Sequence, residues 1–108
     1  MVELGPSGGS TAEVRTTTED GILILWLSGE LDLSSVVKVS GDAKAALGED
    51  CQHVIFDLGE LTFMDSSGIA LLLEIAERVP NVELRRASSI VRRLIGLTGL
   101  DGTLHLIE

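Results

Sequence analysis

The chain has no tyrosine, one tryptophan and two phenylalanines in 108 residues. It therefore lacks the aromatic platform on which single-stranded nucleic acids stack. Cations are scarce too: eight Lys and Arg stand against 17 Asp and Glu, a net charge of −9. Nucleic acid and anionic membrane surfaces both demand clustered Lys and Arg, so neither is expected as a partner. Cys51 is the single cysteine, which excludes an internal disulfide and a thiolate metal cluster. His53 and His105 are isolated, and no HExxH or EF-hand pattern occurs, so no metal or cofactor is expected. Cys51 and His53 read as a packed or partly exposed pair. The longest apolar run, residues 22–27, is six residues long and far too short to span a bilayer. No basic segment followed by an apolar run opens the chain, so a cytoplasmic protein without a signal peptide is expected.

What is present fits one domain with one core. The length suits a single folding unit, and 44% hydrophobic residues argue against disorder of the whole. Residues 1–13, rich in Gly, Ser and small polar residues, are expected to be a flexible tail before a domain over 14–108. Residues 14–18 suit an edge strand, turning at Glu19-Asp20-Gly21. Residues 22–27 are apolar on both alternating faces, the pattern of a central strand covered on both sides. Gly29-Glu30-Leu31-Asp32 reads as a loop. Ser34 or Ser35 can then cap a helix to about Leu47, with Val36, Val39, Ala43, Ala46 and Leu47 at helical spacing and Gly48 as its stop.

A second strand is expected over residues 53–58 and a second helix over about 67–78, ended by Pro80-Asn81. Residues 82–86 alternate inward Val82 and Leu84 with outward Glu83 and Arg85. Ser88 or Ser89 caps a third helix carrying Ile90, Val91, Leu94 and Ile95, and residues 103–107 make a last strand. This order implies an α/β fold with a mixed sheet of about 4–5 strands and about 3–4 helices. Arg85, Arg86, Arg92 and Arg93, half of all Lys and Arg, read as a solvated face.

The most informative stretch is residues 54–73, VIFDLGELTFMDSSGIALLL. An apolar strand runs through a short loop into a helix opening with Asp65-Ser66-Ser67-Gly68. Unpaired N–H groups and the macrodipole favour negative charge at a helix N-terminus. A serine there can cap the helix, bind an anion or carry a phosphate. The following helix is apolar nearly all round its first turns, from Ile69 to Leu73. An exposed remnant of that surface would offer a partner a site beside Ser67.

Three motifs in register resemble the STAS domains of anti-sigma factor antagonists, the bacterial partner-switching proteins. They are Gly29-Glu30-Leu31-Asp32, Leu61-Thr62-Phe63-Met64-Asp65-Ser66-Ser67-Gly68, and Val91-Arg92-Arg93-Leu94 running to Thr98-Gly99-Leu100. The resemblance implies a single STAS domain that frees a sigma factor by binding its anti-sigma factor. It implies that this partner is also a serine kinase and phosphorylates Ser67 from ATP held in the partner. A phosphatase would reverse the modification. The resemblance places Asp32, Asp65, Ser66, Gly68 and Ile69 at the partner surface, and implies a monomer that is not itself an enzyme. It also shows two departures: Ala70 stands where many relatives have a second glycine, and Gly96 where an acidic residue is common.

Other classes are weaker. A hydrolase nucleophile elbow would lack its first glycine, an adequate chain length and a placed histidine. A receiver phosphorylated on Asp65 would lack its supporting acidic pair and lysine. The serious competitor is a STAS interaction module without phosphorylation, in a scaffold, a stressosome-like assembly or a lipid-transport assembly.

Overall fold

Asp-Gly between two runs of alternating character is a strong hairpin signal, and here Asp20 and Gly21 take positive φ angles of 53° and 81°. They join β1 (Ala12–Glu19) to β2 (Ile22–Leu31) as an antiparallel pair closed by Glu19 and Ile22. From there the chain alternates: α1 (Val36–Ala46), β3 (His53–Met64), α2 (Ser66–Ala76), β4 (Asn81–Arg85), α3 (Ser89–Leu97) and β5 (His105–Ile107), with a 3-10 turn over Leu100–Gly102. The computed structural model describes residues 12–107. Ala12 and Glu13, expected in a flexible tail, are part of β1; the rest of that expectation lies outside the described residues.

The sheet order is β1-β2-β3-β4-β5, with β2 to β5 all parallel. Parallel crossovers are right-handed, so strands laid down in sequential order put every crossover helix on the same face. The core obeys this. Val39 and Ala43 of α1, Leu71, Leu72 and Ile75 of α2, and Val91 and Ile95 of α3 form one cluster with Leu23, Leu25, Val54, Phe56, Val82 and Leu84. β2 is buried on both faces at Leu23, Ile24 and Leu25, as expected, but helices cover only one of them. On its second face Trp26 sits between two guanidinium groups, Arg15 at 5.1 Å and Arg85 at 4.9 Å from the ring centre. Its indole N–H donates to the Thr17 hydroxyl at 2.8 Å.

Two segments expected as loops are strand. Gly29 carries a φ of 88°, and the β2–β3 register shifts on both sides of it. It makes a bulge within the strand, and pairing resumes with Glu30 opposite Phe63 and Leu31 opposite Met64. β3 likewise runs on to Met64 instead of stopping at Leu58. Of the apolar residues on α3, Val91 and Ile95 are buried, whereas Ile90 is 70% exposed.

Asp57 is 2% exposed on the second face of β3. Arg85 Nε donates to it at 2.8 Å, and Arg86 Nη2 lies 2.7 Å from its other oxygen. Arg86 holds a φ of 58°, uncommon for any residue but glycine, so this ion pair also fixes the exit from β4. Two of the four clustered arginines thus hold an internal carboxylate rather than forming a solvated face. Burial pushes the Asp57 pKa up, but hydrogen bonds from Arg86 and Arg85 outweigh it and leave it below the usual value of 3.8. The contribution is present above the unfolded pKa and is lost as pH falls through that value toward the folded one. Asp57→Asn should lower stability in urea melts at pH 7 by about 2 kcal/mol, the scale of a charged hydrogen bond. The gap between the two proteins should narrow below about pH 4; a constant gap down to pH 3 would show that the charge contributes nothing.

Candidate functional site

β2 and β3 end side by side. The Asp65 N–H donates to the Leu31 carbonyl at 3.2 Å, so the turn after β3 is tied to the turn after β2. Each turn is organised by an aspartate. Asp32 Oδ1 accepts the Ser34 hydroxyl at 2.7 Å and the N–H groups of Ser34 and Ser35 at 3.0 and 3.2 Å. The Asp32 pKa is lowered, first by the Ser34 hydroxyl, so the group is an anion at neutral pH. Ser35 occupies the N-cap position of α1 without capping it by its side chain. Its hydroxyl donates back to the Glu30 carbonyl at 2.7 Å and is buried. Asp32 does the work expected of the serines.

In the second turn Asp65 is the N-cap of α2, and its carboxylate accepts the Ser67 N–H at 2.8 Å. That leaves Ser66 exposed and Ser67 half-buried at the first turn. Ser67 opens onto a groove of about 520 Å³ between α1 and α2, lined otherwise by Leu33, Val36, Val37, Ser40, Ala70, Leu71 and Glu74. Leu33 and Val37 are 75% and 77% exposed. No lining residue is a cation; Lys44 pairs with Glu74 at 2.5 Å. The exposed remnant of α2 beside Ser67 is Ala70, and α1 supplies the larger apolar share. Leu33 and Val37 were missed in the sequence, although both fall off the Val36, Val39, Ala43 period and so signal apolar residues with no core to enter.

Gly68 and Ile69 are both buried. Ile69 is 8% exposed and belongs to the core cluster. A Cβ on Gly68 would lie 2.4 Å from Met64 Cγ and 3.1 Å from Leu31 Cδ2, so the glycine is needed where α2 crosses the ends of β2 and β3. Neither histidine reaches the serines: His53 opens β3 at its other end and bonds Glu83 at 2.6 Å, and His105 bonds the Gly102 carbonyl. Cys51 Sγ donates to the His53 carbonyl at 3.7 Å and the side chain packs against the core, which matches a packed role.

The sequence profile of the STAS domain family matches residues 13–108. The chain belongs to the STAS domain family. This STAS domain is 35% identical over 86 residues to an anti-sigma F factor antagonist of Paenibacillus polymyxa, covering 74% of this chain and 73% of that one. It is 26% identical over 99 residues to an anti-sigma-B factor antagonist of Staphylococcus epidermidis, covering 88% and 92%. Among solved structures, an anti-sigma factor antagonist from Mycobacterium paratuberculosis shares its fold with a TM-score of 0.82 at 24% identity, covering 94% of this chain and 89% of that one. The Bacillus protein SpoIIAA matches in its phosphorylated form with a TM-score of 0.69 at 22% identity, over 89% and 92% of the two chains. No helix among the described residues is long and apolar enough to cross a membrane.

The packing of the STAS domain makes Gly68→Ala a structural test. The methyl gains helix propensity of about 1 kcal/mol but must displace buried Met64. Net destabilisation of about 1 kcal/mol is expected in thermal melts. Unchanged or raised stability would show that Met64 yields freely and that the glycine serves something other than packing.

Proposed function

We propose that this STAS domain is an anti-sigma factor antagonist whose docking edge comprises Asp32, Asp65, Ser66, Ser67 and the groove between α1 and α2. The partner is an anti-sigma factor that is also a serine kinase, and binding it frees the sigma factor. Transfer of the γ-phosphoryl group from ATP on the partner then ends the association. The bond from Ser67 Oγ to phosphorus forms as the bond to ADP breaks. The hydroxyl proton passes to a base of the partner, and a phosphatase later hydrolyses the ester. Ser66, Gly68 and Ile69 shape the edge more through the helix start they build than through exposed area. The chemistry of a bacterial regulator acting on sigma factors belongs in the cytoplasm.

One observation carries this reading: Ser67 borders an apolar groove without a cation, next to two aspartate turns. A phosphate there adds about −1.5 to −2 charges at the start of α2, where the helix end tolerates them. The same charge facing a partner's apolar surface is repelled by Asp32 and Asp65 and is desolvated at high cost. Folding is spared and binding is not. Kinship with antagonists of two different anti-sigma factors supports the partner class.

The test pairs mass spectrometry of the chain from its own cells with binding of Ser67 variants to the anti-sigma factor. Ser67→Asp should melt within about 2 °C of the parent, as a surface change does. It should also bind at least about 30-fold more weakly, the equivalent of 2 kcal/mol. Ser67→Ala should bind as the parent does and stay bound when ATP is added. Absence of phosphate on Ser67 in every condition, with Ser67→Asp binding normally, would instead mark a static interaction module.

A further inference from the structure

The sheet face opposite the helices holds a second hollow, of about 300 Å³, between β1, β2 and β3. Its floor is a row across three strands, since Glu13 and Glu60 are the register partners of Ser28 on either side. Two strand spacings place those carboxylate-bearing positions about 10 Å apart, with the Ser28 hydroxyl between them. The next row supplies Arg15 and Trp26, and Arg86 reaches in from the end of β4. Among the described residues, Glu13, Glu60 and Arg15 form no ion pair of their own. Asp57 beneath is answered by two guanidinium groups, which leaves one positive charge in excess.

Counting Arg85 behind Asp57, three guanidinium groups meet three carboxylates, and the wall itself carries both signs. A simple anion meets Glu13 and Glu60; a simple cation meets Arg15 and Arg86. Repulsion of this kind rejects ligands of either single sign and favours one that carries both. An ammonium group donates three hydrogen bonds and fits between two carboxylates and a hydroxyl; a carboxylate accepts a guanidinium fork. The volume is at the small end of ligand sites, and the indole, stacked by Arg15 and Arg85, lines it by its edge. We propose that this hollow binds a free α-amino acid. Its ammonium lies between Glu13 and Glu60, its carboxylate on Arg15 and its side chain at the edge of the Trp26 ring. The site is separate from the Ser67 edge, although β2 and β3 run from its floor to Asp32 and Asp65.

Trp26 is the sole tryptophan and reports binding directly. The full chain is titrated with each common L-amino acid in turn, and with acetate and choline as single-sign probes. At least one amino acid should give a saturable change in Trp26 emission with a Kd below about 1 mM. Acetate and choline should give none. Glu60→Gln and Arg15→Gln should each weaken binding by about tenfold or more, with unchanged circular dichroism, as loss of a charged hydrogen bond requires. Ser67→Asp should leave it unaltered. The proposal is overturned if no amino acid saturates up to about 10 mM, a range that reaches the weakest specific sites. A response to acetate or choline matching that to amino acids also overturns it, as do both charge variants binding like the parent.

Discussion

The pairing of β2 with β3 past the Gly29 bulge is the constraint from which the rest of the site follows. Were the two strands to part at Ser28 and Glu60, the Asp32 and Asp65 turns would end at unrelated heights. The bulge absorbs the register shift, and pairing continues through Leu31 and Met64 to the bond from Asp65 N–H to the Leu31 carbonyl. Both helices that follow then start at one edge of the sheet, and their N-terminal turns lie against each other. Gly68 completes this geometry by letting α2 pass over Met64 and Leu31 without a side chain in the way. A docking edge made of two turns from distant parts of the chain needs this much shared backbone to hold its shape.

The element order, the Asp-Gly hairpin and the first turn of α2 were legible from local pattern, because hydrophobic period and helix caps are properties of neighbours in sequence. The extensions of β2 and β3 were not. A Gly-Glu pair after a strand has the composition of a loop, and only the partner strand shows that Gly29 is a bulge within a ladder. Asp57 was equally hidden. A carboxylate inside VIFDL announces a departure from an apolar strand, but its meaning depends on Arg85 and Arg86, nearly thirty residues away. The apolar edge of α1 was obscured for a related reason: Leu33 and Val37 are hydrophobic, and hydrophobicity alone assigns residues to the core. The family motifs located Asp32, Asp65 and Ser67 in the sequence, and the fold ties the two turns that carry them side by side.

Topology divides the labour between the two faces. Sequential parallel order with one crossover hand puts all three helices on one side, which leaves the other side to be finished by side chains. Trp26 between Arg15 and Arg85, Asp57 between Arg85 and Arg86, and His53 on Glu83 form a polar lattice over that surface. Three of the chain's six arginines are spent here. The helical side carries Lys38, Lys44, Arg92 and Arg93, but none of them lines the groove beside Ser67.

This uneven distribution bears on how a single phosphoryl group could act. Had the arginines lined the α1–α2 groove, a phosphate on Ser67 would find a counter-charge, and the modification would reorganise the domain itself. With Arg15, Arg85 and Arg86 held on the far face by Asp57 and Trp26 and no cation lining the groove, an added charge would have the start of α2 and water to stabilise it. Both remain available in the free protein, and docking removes the water. On the function proposed for Ser67, the cost of modification would fall on the complex, with little on the fold. The same logic explains why Asp32 and Asp65 can sit so close to the serine without harm in the free state: each carboxylate is already satisfied by its own turn. Only a partner that buries all three together makes them compete.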